Sequence, residues 1–350
     1  MNAMSATMRH RLPRILLLLL LMAASVGGHR VYSRNDSQRI ELLPLALDET
    51  NLERTKVGAL TFLNAWELQS DNSNFGGISA LVVTRDSRFL AVSDAGTLIG
   101  FTLGQSDRME NSFIAALPGA FGDTIDYRDR DSEGMAYDPA SGRIWISYEA
   151  HHAVRRISPS LGRVDGINKL TFTIGWRANG GIEAIARLRD GRFVLFSEAH
   201  QRADGSNSAY LYSGDPVEPG SRATVFGYVA PEGYRPTDAT LLPDGRLLIL
   251  NRRISFPNGF TAKLAILDPA EIESGKAVAP KVIATLAPPL LVDNMEGVAI
   301  TEEEGRIIVW MISDDNFTAL QRTILMKFAL NLRIKKPEAE TAPGFETLSN

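Results

Sequence analysis

The 350 residues carry 44% hydrophobic and 22% charged side chains, ordinary values for a globular protein, so wholesale disorder is excluded. With 37 basic against 41 acidic residues the formal charge is −4, which disfavours a nucleic-acid partner because phosphate backbones are held by clustered Lys and Arg. Cysteine is absent, and with it disulfides, thiolate catalysis and zinc–thiolate sites.

In chain order, Arg9, Arg11 and Arg14 precede the apolar run Ile15 to Met22 and the small residues Ala23, Ala24 and Ser25. This three-part pattern reads as a secretory signal over residues 1–25, cleaved after Ser25 or Gly27, with an uncleaved N-terminal anchor as the alternative. The apolar run is short for a bilayer span, so no other transmembrane segment is expected, and the chain reads as exported, periplasmic or extracellular. Removing the leader takes away three basic residues and no acidic one, so the mature charge is 34 − 41 = −7. Residues 26–56 read as an extended segment, 57–334 as one repeat domain and 335–350, rich in Pro, Glu and Thr, as a flexible tail.

The repeat recurs about every 55 residues. Copies begin at Gly77-Ile78-Ser79, Ser132-Glu133-Gly134, Gly181-Ile182-Glu183, Thr237-Asp238-Ala239 and Asn294-Met295-Glu296. Each is an apolar run, a tight turn and a second apolar run. The turns are Asp86-Ser87-Arg88, Ser141-Gly142-Arg143, Asp190-Gly191-Arg192, Asp244-Gly245-Arg246 and Glu304-Gly305-Arg306, where positive φ favours Gly. Second strands are predicted over 89–93, 144–148, 193–197, 247–250 and 307–312, third strands over 97–103, 153–157, 209–212, 262–267 and 323–330, and a fourth, for example, over 170–174. The last copy lacks a fourth strand, which Val57 to Leu68 can supply by closing the ring. These features define an all-β fold: a β-propeller of four-stranded antiparallel blades, five favoured, with residues 38–56 as a possible contribution to a sixth. One short helical turn is expected at 269–273.

Antiparallel return of the second strand brings the residue entering the first strand and the residue leaving the second to one rim. The entry residues are Ser79, Glu133, Glu183, Asp238 and Glu296; the exit residues are Asp94, Glu149, Glu198, Asn251-Arg252-Arg253 and Asp314-Asp315. Crowded carboxylates repel unless a cation or shared protons offset them. Hard oxygen ligands fit a divalent cation, Ca²⁺ before Mg²⁺, held by Glu133, Glu183, Asp238 and Glu296, while a carboxyl with a raised pKa could act as general acid or base. The plain alternative is that such acids accept backbone N–H groups from the next blade. His151, His152 and His200 follow exit acids and could carry protons or touch phosphate, although loop histidines are commonly just solvated. Arg252 and Arg253 suit a phosphate or carboxylate, or a salt bridge to neighbouring acids. The tract Asp123 to Glu133, with Asp126, Asp129 and Asp131, is dense in oxygen ligands but lacks the EF-hand pattern; it reads as a solvated loop, with a calcium site as the alternative. No Gly-x-Ser-x-Gly, phosphate-binding Gly-rich loop or His-Glu-x-x-His occurs.

The segments 74–79, 131–136, 181–186 and 294–300 resemble motifs of the phytase-like family, labelled "esterase-like activity of phytase", across roughly residues 57 to 330. The resemblance implies an exported propeller hydrolysing phosphate monoesters or other esters. It places the family's Ser-Glu-Gly and Met-Glu-Gly acids on Glu133 and Glu296, the expected catalytic pair; Arg252, Arg253, His151 and His200 are expected as substrate contacts from their place near the rim alone. Ser79 departs from the acidic repeat. The expected partner is a small-molecule ester or phosphate, bound by a monomer. The other readings are a non-catalytic periplasmic propeller that binds a ligand or partner, and a lactonase-type propeller.

Overall fold

The computed structural model describes residues 35–104, 108–119, 130–173, 176 and 180–332. The proposed signal segment, the tail, and Asp123, Asp126 and Asp129 lie outside the described residues.

The strands run β1 (Glu41–Pro44), β2 (Lys56–Val57), β3 (Leu60–Gln69), then β4 (Ile78–Val83), β5 (Arg88–Ser93), β6 (Thr97–Leu103) and β7 (Met109–Ala116). They continue with β8 (Ser132–Tyr137), β9 (Ile144–Tyr148), β10 (Ala153–Ile157), β11 (Val164–Lys169), β12 (Ile182–Arg187), β13 (Phe193–Gln201), β14 (Asn207–Tyr212) and β15 (Ala223–Tyr228). The remainder are β16 (Arg235–Leu241), β17 (Leu247–Ser255), β18 (Gly259–Leu267), β19 (Ala277–Val278), β20 (Lys281–Leu286), β21 (Asn294–Glu303), β22 (Arg306–Asp314) and β23 (Ile324–Leu330). They form five sheets: β4–β7, β8–β11, β12–β15, then β16, β17, β18 and β20, and finally β21, β22, β23 and β3. The inner strands β4, β8, β12, β16 and β21 each contact the next, and β21 contacts β4, so five blades close a ring.

β3 pairs antiparallel with β23, Leu60 opposite Leu330 and Glu67 opposite Ile324, which is the closure expected from the chain ends. Residues 41–44 do not begin a sixth blade; they add β1 to the outside of β3. The fourth strand of the second blade is Val164–Lys169 rather than 170–174. The turn at Leu161, in the left-handed region at φ 60°, returns the chain at once and pairs Lys169 with Ala153. Thr171–Thr173 is then a short 3₁₀ turn, as is Pro269–Glu271, which Asp268 caps.

Strand alternation puts one face of every blade against each neighbour, and the core is accordingly five apolar clusters. Ile78, Leu81 and Phe89 meet Trp310 and Ile312 at the closing interface, with Phe89 edge-on to Trp310 at 4.8 Å. Each such side chain removed from water contributes about 1.5–3 kcal/mol. The hairpins between inner and second strands turn at Ser87, Gly142, Gly191, Gly245 and Gly305, all at positive φ. Among the described residues no helix is long and apolar enough to cross a membrane.

Candidate active site

Every inner strand slips register once, immediately after it enters the blade. Ile78 opposes Ser93 but Ala80 opposes Val92; Ile182 opposes Ser197 but Ala184 opposes Phe196; the same slip occurs at 132–135, 236–238 and 295–297. Such a bulge re-aims the extra residue. Counted in this register, the extra residues are Ser79, Glu133, Glu183, Thr237 and Glu296. The residue in register with Glu133 is therefore Thr237, and Asp238 falls one layer deeper, where the other blades have Ala80, Gly134, Ala184 and Gly297.

That offset decides the role of each acid. Glu133, Glu183 and Glu296 line a cavity of about 360 Å³ together with Ser79, Asp94, Glu149, Glu198, Arg252, Asn294, Asp314 and Asn316. Among the described residues, seven carboxyl groups thus surround one guanidinium. Asp238 is off this lining and fully buried; its carboxylate accepts the N–H groups of Ala239 at 2.8 Å and Val298 at 2.7 Å, and also that of Leu81. It ties the fourth blade to the fifth and first, which is the backbone-pairing role.

The exit residues complete the rim. In register, Asp94, Glu149, Glu198, Arg252 and Asp314 each follow the second-strand residue that pairs just before the inner-strand bulge, Ser93, Tyr148, Ser197, Asn251 and Ser313, and Arg252 and Asp314 pair on to Arg235 and Asn294. Arg252 holds Glu198 at 2.9 Å, Glu296 at 3.0 Å and the Asn294 amide oxygen at 2.5 Å, while the Asn294 amide donates to Asp314 at 3.0 Å. Arg235 reaches Glu198 at 3.2 Å. Glu149 Oε1 accepts from the backbone of Gly180 and, at 3.1 Å, Gly181.

Electrostatics follow from this crowding. Burial, then the charges of Asp131 and Asp315, pushes the Asp94 carboxyl up to about 7. Burial also pushes Glu296 up to about 7, although Arg252 pulls it down. Glu133 and Glu183 are raised well above the ordinary range, by burial first and then by neighbouring carboxylates; Glu183 hydrogen-bonds Glu149. Burial raises Asp314, Glu149 and Asp131 as well. One oxygen from each of Asp131, Glu133 and Glu149 lies within 4.8 Å of the others. This set of hard oxygens, carrying more negative charge than Arg252 offsets, fits a divalent cation.

The sequence offered Asp131 within an oxygen-rich tract and Glu133 and Glu149 as the entry and exit acids of one blade; pairing of β8 with β9, with the Glu149 N–H donating to the Asp131 carbonyl at 2.9 Å, brings the three together. Arg253 points away from Arg252 on the alternating strand and lies over the Tyr234 ring at 5.8 Å. His200 stacks on Trp176 at 4.2 Å and bonds Ser208 at 2.9 Å; burial lowers its pKa. His151 is off the cavity lining, yet its charge acts on Asp131. Of the four expected substrate contacts, the structure brings only Arg252 to the cavity.

A propeller whose inner-strand bulges present acids at one mouth defines the class, and the sequence places it within a family. The phytase-like family, described as "Esterase-like activity of phytase", matches residues 73–317, and the chain belongs to it. No curated protein matches. Among solved structures, the chain is similar to the major Malassezia sympodialis allergen Mala s 1, at 13% identity and TM-score 0.42, over 82% of this chain and 92% of that one. It is also similar to the Cps50 (Swd1) β-propeller domain of Myceliophteria thermophila, at 7% identity and TM-score 0.40, over 83% and 98%. Kuenenia stuttgartiensis hydrazine synthase matches at 10% identity and TM-score 0.36, over 72% of this chain and 60% of that one, so this chain spans less than two-thirds of it. The functional reading rests on none of these three.

Proposed function

We propose that this chain is an exported hydrolase of phosphate monoesters or other esters, working with a divalent cation, calcium favoured, at the acidic mouth. The observation that carries the reading is seven carboxyl groups around a cavity of about 360 Å³ with Arg252 as the one guanidinium on its lining. That volume lies within the range of small-molecule sites, about 300–1,000 Å³. The N-terminal basic, apolar and small-residue pattern supports export.

Asp131, Glu133 and Glu149 would hold the cation. When bound, it supplies Lewis-acid polarisation of an ester or phosphoryl oxygen. Glu296, near neutral in its pKa, can hold or release a proton at working pH, which is the property a general acid or base needs. Arg252 fixes the Glu296 carboxylate, is shared with Glu198 and Asn294, and lies on the cavity lining, where its positive charge would meet an anionic substrate group. Burial of the surrounding acids keeps water from screening these charges.

The test is turnover of p-nitrophenyl phosphate and p-nitrophenyl esters by the purified mature chain, with calcium and with chelator, for wild type, Glu133→Gln and Glu296→Gln. Loss of turnover in both folded variants and with chelator supports the reading. Full activity in both variants removes it, and inactivity of wild type with calcium-dependent stabilisation retained favours a binding propeller.

A further inference from the structure

The ring encloses a second chamber at the opposite end of its axis. Beyond the bulges, the inner strands continue through the layer Ala80, Gly134, Ala184, Asp238 and Gly297, none of which lines either cavity. Here the Asp238 carboxylate bridges from its own blade to the N–H groups of Val298 and Leu81. A Cβ on Gly134 would strike the Glu183 carbonyl oxygen, and one on Gly297 would lie 2.9 Å from Leu81 Cβ. This packed layer separates the acidic mouth from the space below.

The lower chamber, about 630 Å³, has half-buried apolar side chains on its walls, Val82, Val83, Leu241 and Ile300 among them, while at its inner end Leu81, Met135, Ile185, Ala239 and Val298 turn their side chains into the cores between blades. Its rim is of opposite character to the mouth, carrying Arg85, Arg187 and Arg189. Arg85 has no ion-pair partner among the described residues. Arg187 touches Asp138 at 3.4 Å through Nη1, and Arg189 donates through Nη2 to the Pro243 carbonyl at 2.5 Å, so each fork keeps further N–H groups. Asp138 offsets part of this charge through Arg187. Burial pushes its carboxyl up but is outweighed by bonds from Ser141 and Ala140 and by the charge of Arg187, which hold it below the usual range. Glu302 is the other acid on the lining.

Apolar walls remove a hydrocarbon or aryl body from water, and a guanidinium rim pairs with a carboxylate in planar, bidentate fashion. A neutral apolar molecule would leave the arginines unused, and a polyanion would leave the apolar walls uncovered. We propose that this lower chamber is a binding site for a small amphiphilic monoanion of the medium-chain or aryl carboxylate class, with its apolar body against Val82, Leu241 and Ile300 and its carboxylate at Arg85, Arg187 and Arg189. The site is separate from the acidic mouth and independent of the activity assigned there.

The test is calorimetric titration of the purified mature chain with octanoate and with octyltrimethylammonium, both in the presence of chelator so that no cation at the mouth can capture a carboxylate. Saturable one-to-one binding of octanoate, with the ammonium compound bound at least tenfold more weakly, is the expected result. Two variants locate it. Arg187→Gln combined with Arg189→Gln removes rim charge, and Thr240→Phe narrows the wall at a half-buried position; each is expected to weaken octanoate at least tenfold while circular dichroism remains that of wild type. Absence of saturable octanoate binding overturns the proposal. So does equal binding of the cationic amphiphile, or undiminished octanoate affinity in the folded arginine variant.

Discussion

Replacing Glu296 with Gln should stabilise the metal-free protein at neutral pH, an unusual outcome for a buried side chain that holds a salt bridge. The Glu296 carboxyl stands at about 7 against an ordinary 4.5, the effect of burial exceeding the pull of Arg252. A raised pKa in the folded state means that folding favours the protonated form. Its stabilisation is fully present below the ordinary pKa and is lost as pH rises through the folded value. At about 1.4 kcal/mol per pH unit, the displacement corresponds to about 3 kcal/mol. Gln keeps the shape of the protonated carboxyl and cannot ionise. Urea unfolding in chelator, from about pH 4.5 to about pH 8, should therefore give nearly equal stabilities at the acidic end and Glu296→Gln more stable by about 3 kcal/mol at the alkaline end. Asp94, also raised to about 7, adds a fall in the same direction to both proteins. Parallel profiles, or a wild type that gains stability across this range without metal, would refute the idea that the mouth is a store of uncompensated carboxyl charge.

Three further outcomes follow from the same geometry. Calcium at one hundred times its dissociation constant should stabilise wild type by about 2.7 kcal/mol in thermal unfolding, and Glu133→Gln combined with Glu149→Gln should abolish the effect. Asp238→Ala strands the N–H groups of Ala239, Val298 and Leu81 in the interior and should cost about 3 kcal/mol or more by denaturant titration, with calcium affinity little changed. Gly134→Ala drives a methyl group into the Glu183 carbonyl and should lower the melting temperature by several degrees, read by circular dichroism, because backbone cannot yield as a flexible side chain would.

Much of this molecule could be read from local pattern. A period of about 55 residues, alternating apolar runs and Gly-containing turns are consequences of how strands bury one face, so they define blades without any long-range information. The closing strand was legible because the last copy lacks a fourth strand while an unassigned apolar run stands before the first. The fourth strand of the second blade was not legible, since its burial pattern is mostly half-exposed and the more apolar Leu170 lies just past it.

The site divides along the same line. Acids at strand entries and exits belong to the sequence, as does the expectation that they share a rim. Which of them face the cavity does not, because each inner strand contains a bulge and a single extra residue reverses the side on which all later side chains fall. Thr237 and Asp238 look interchangeable as heads of the fourth repeat; the register alone sends Asp238 inward to hold three N–H groups and leaves Arg252 to face the acids. The residue types set how much charge this protein must accommodate, whereas the closure of five blades about one axis set where that charge is crowded, where it is neutralised, and where the axis is sealed between two dissimilar chambers.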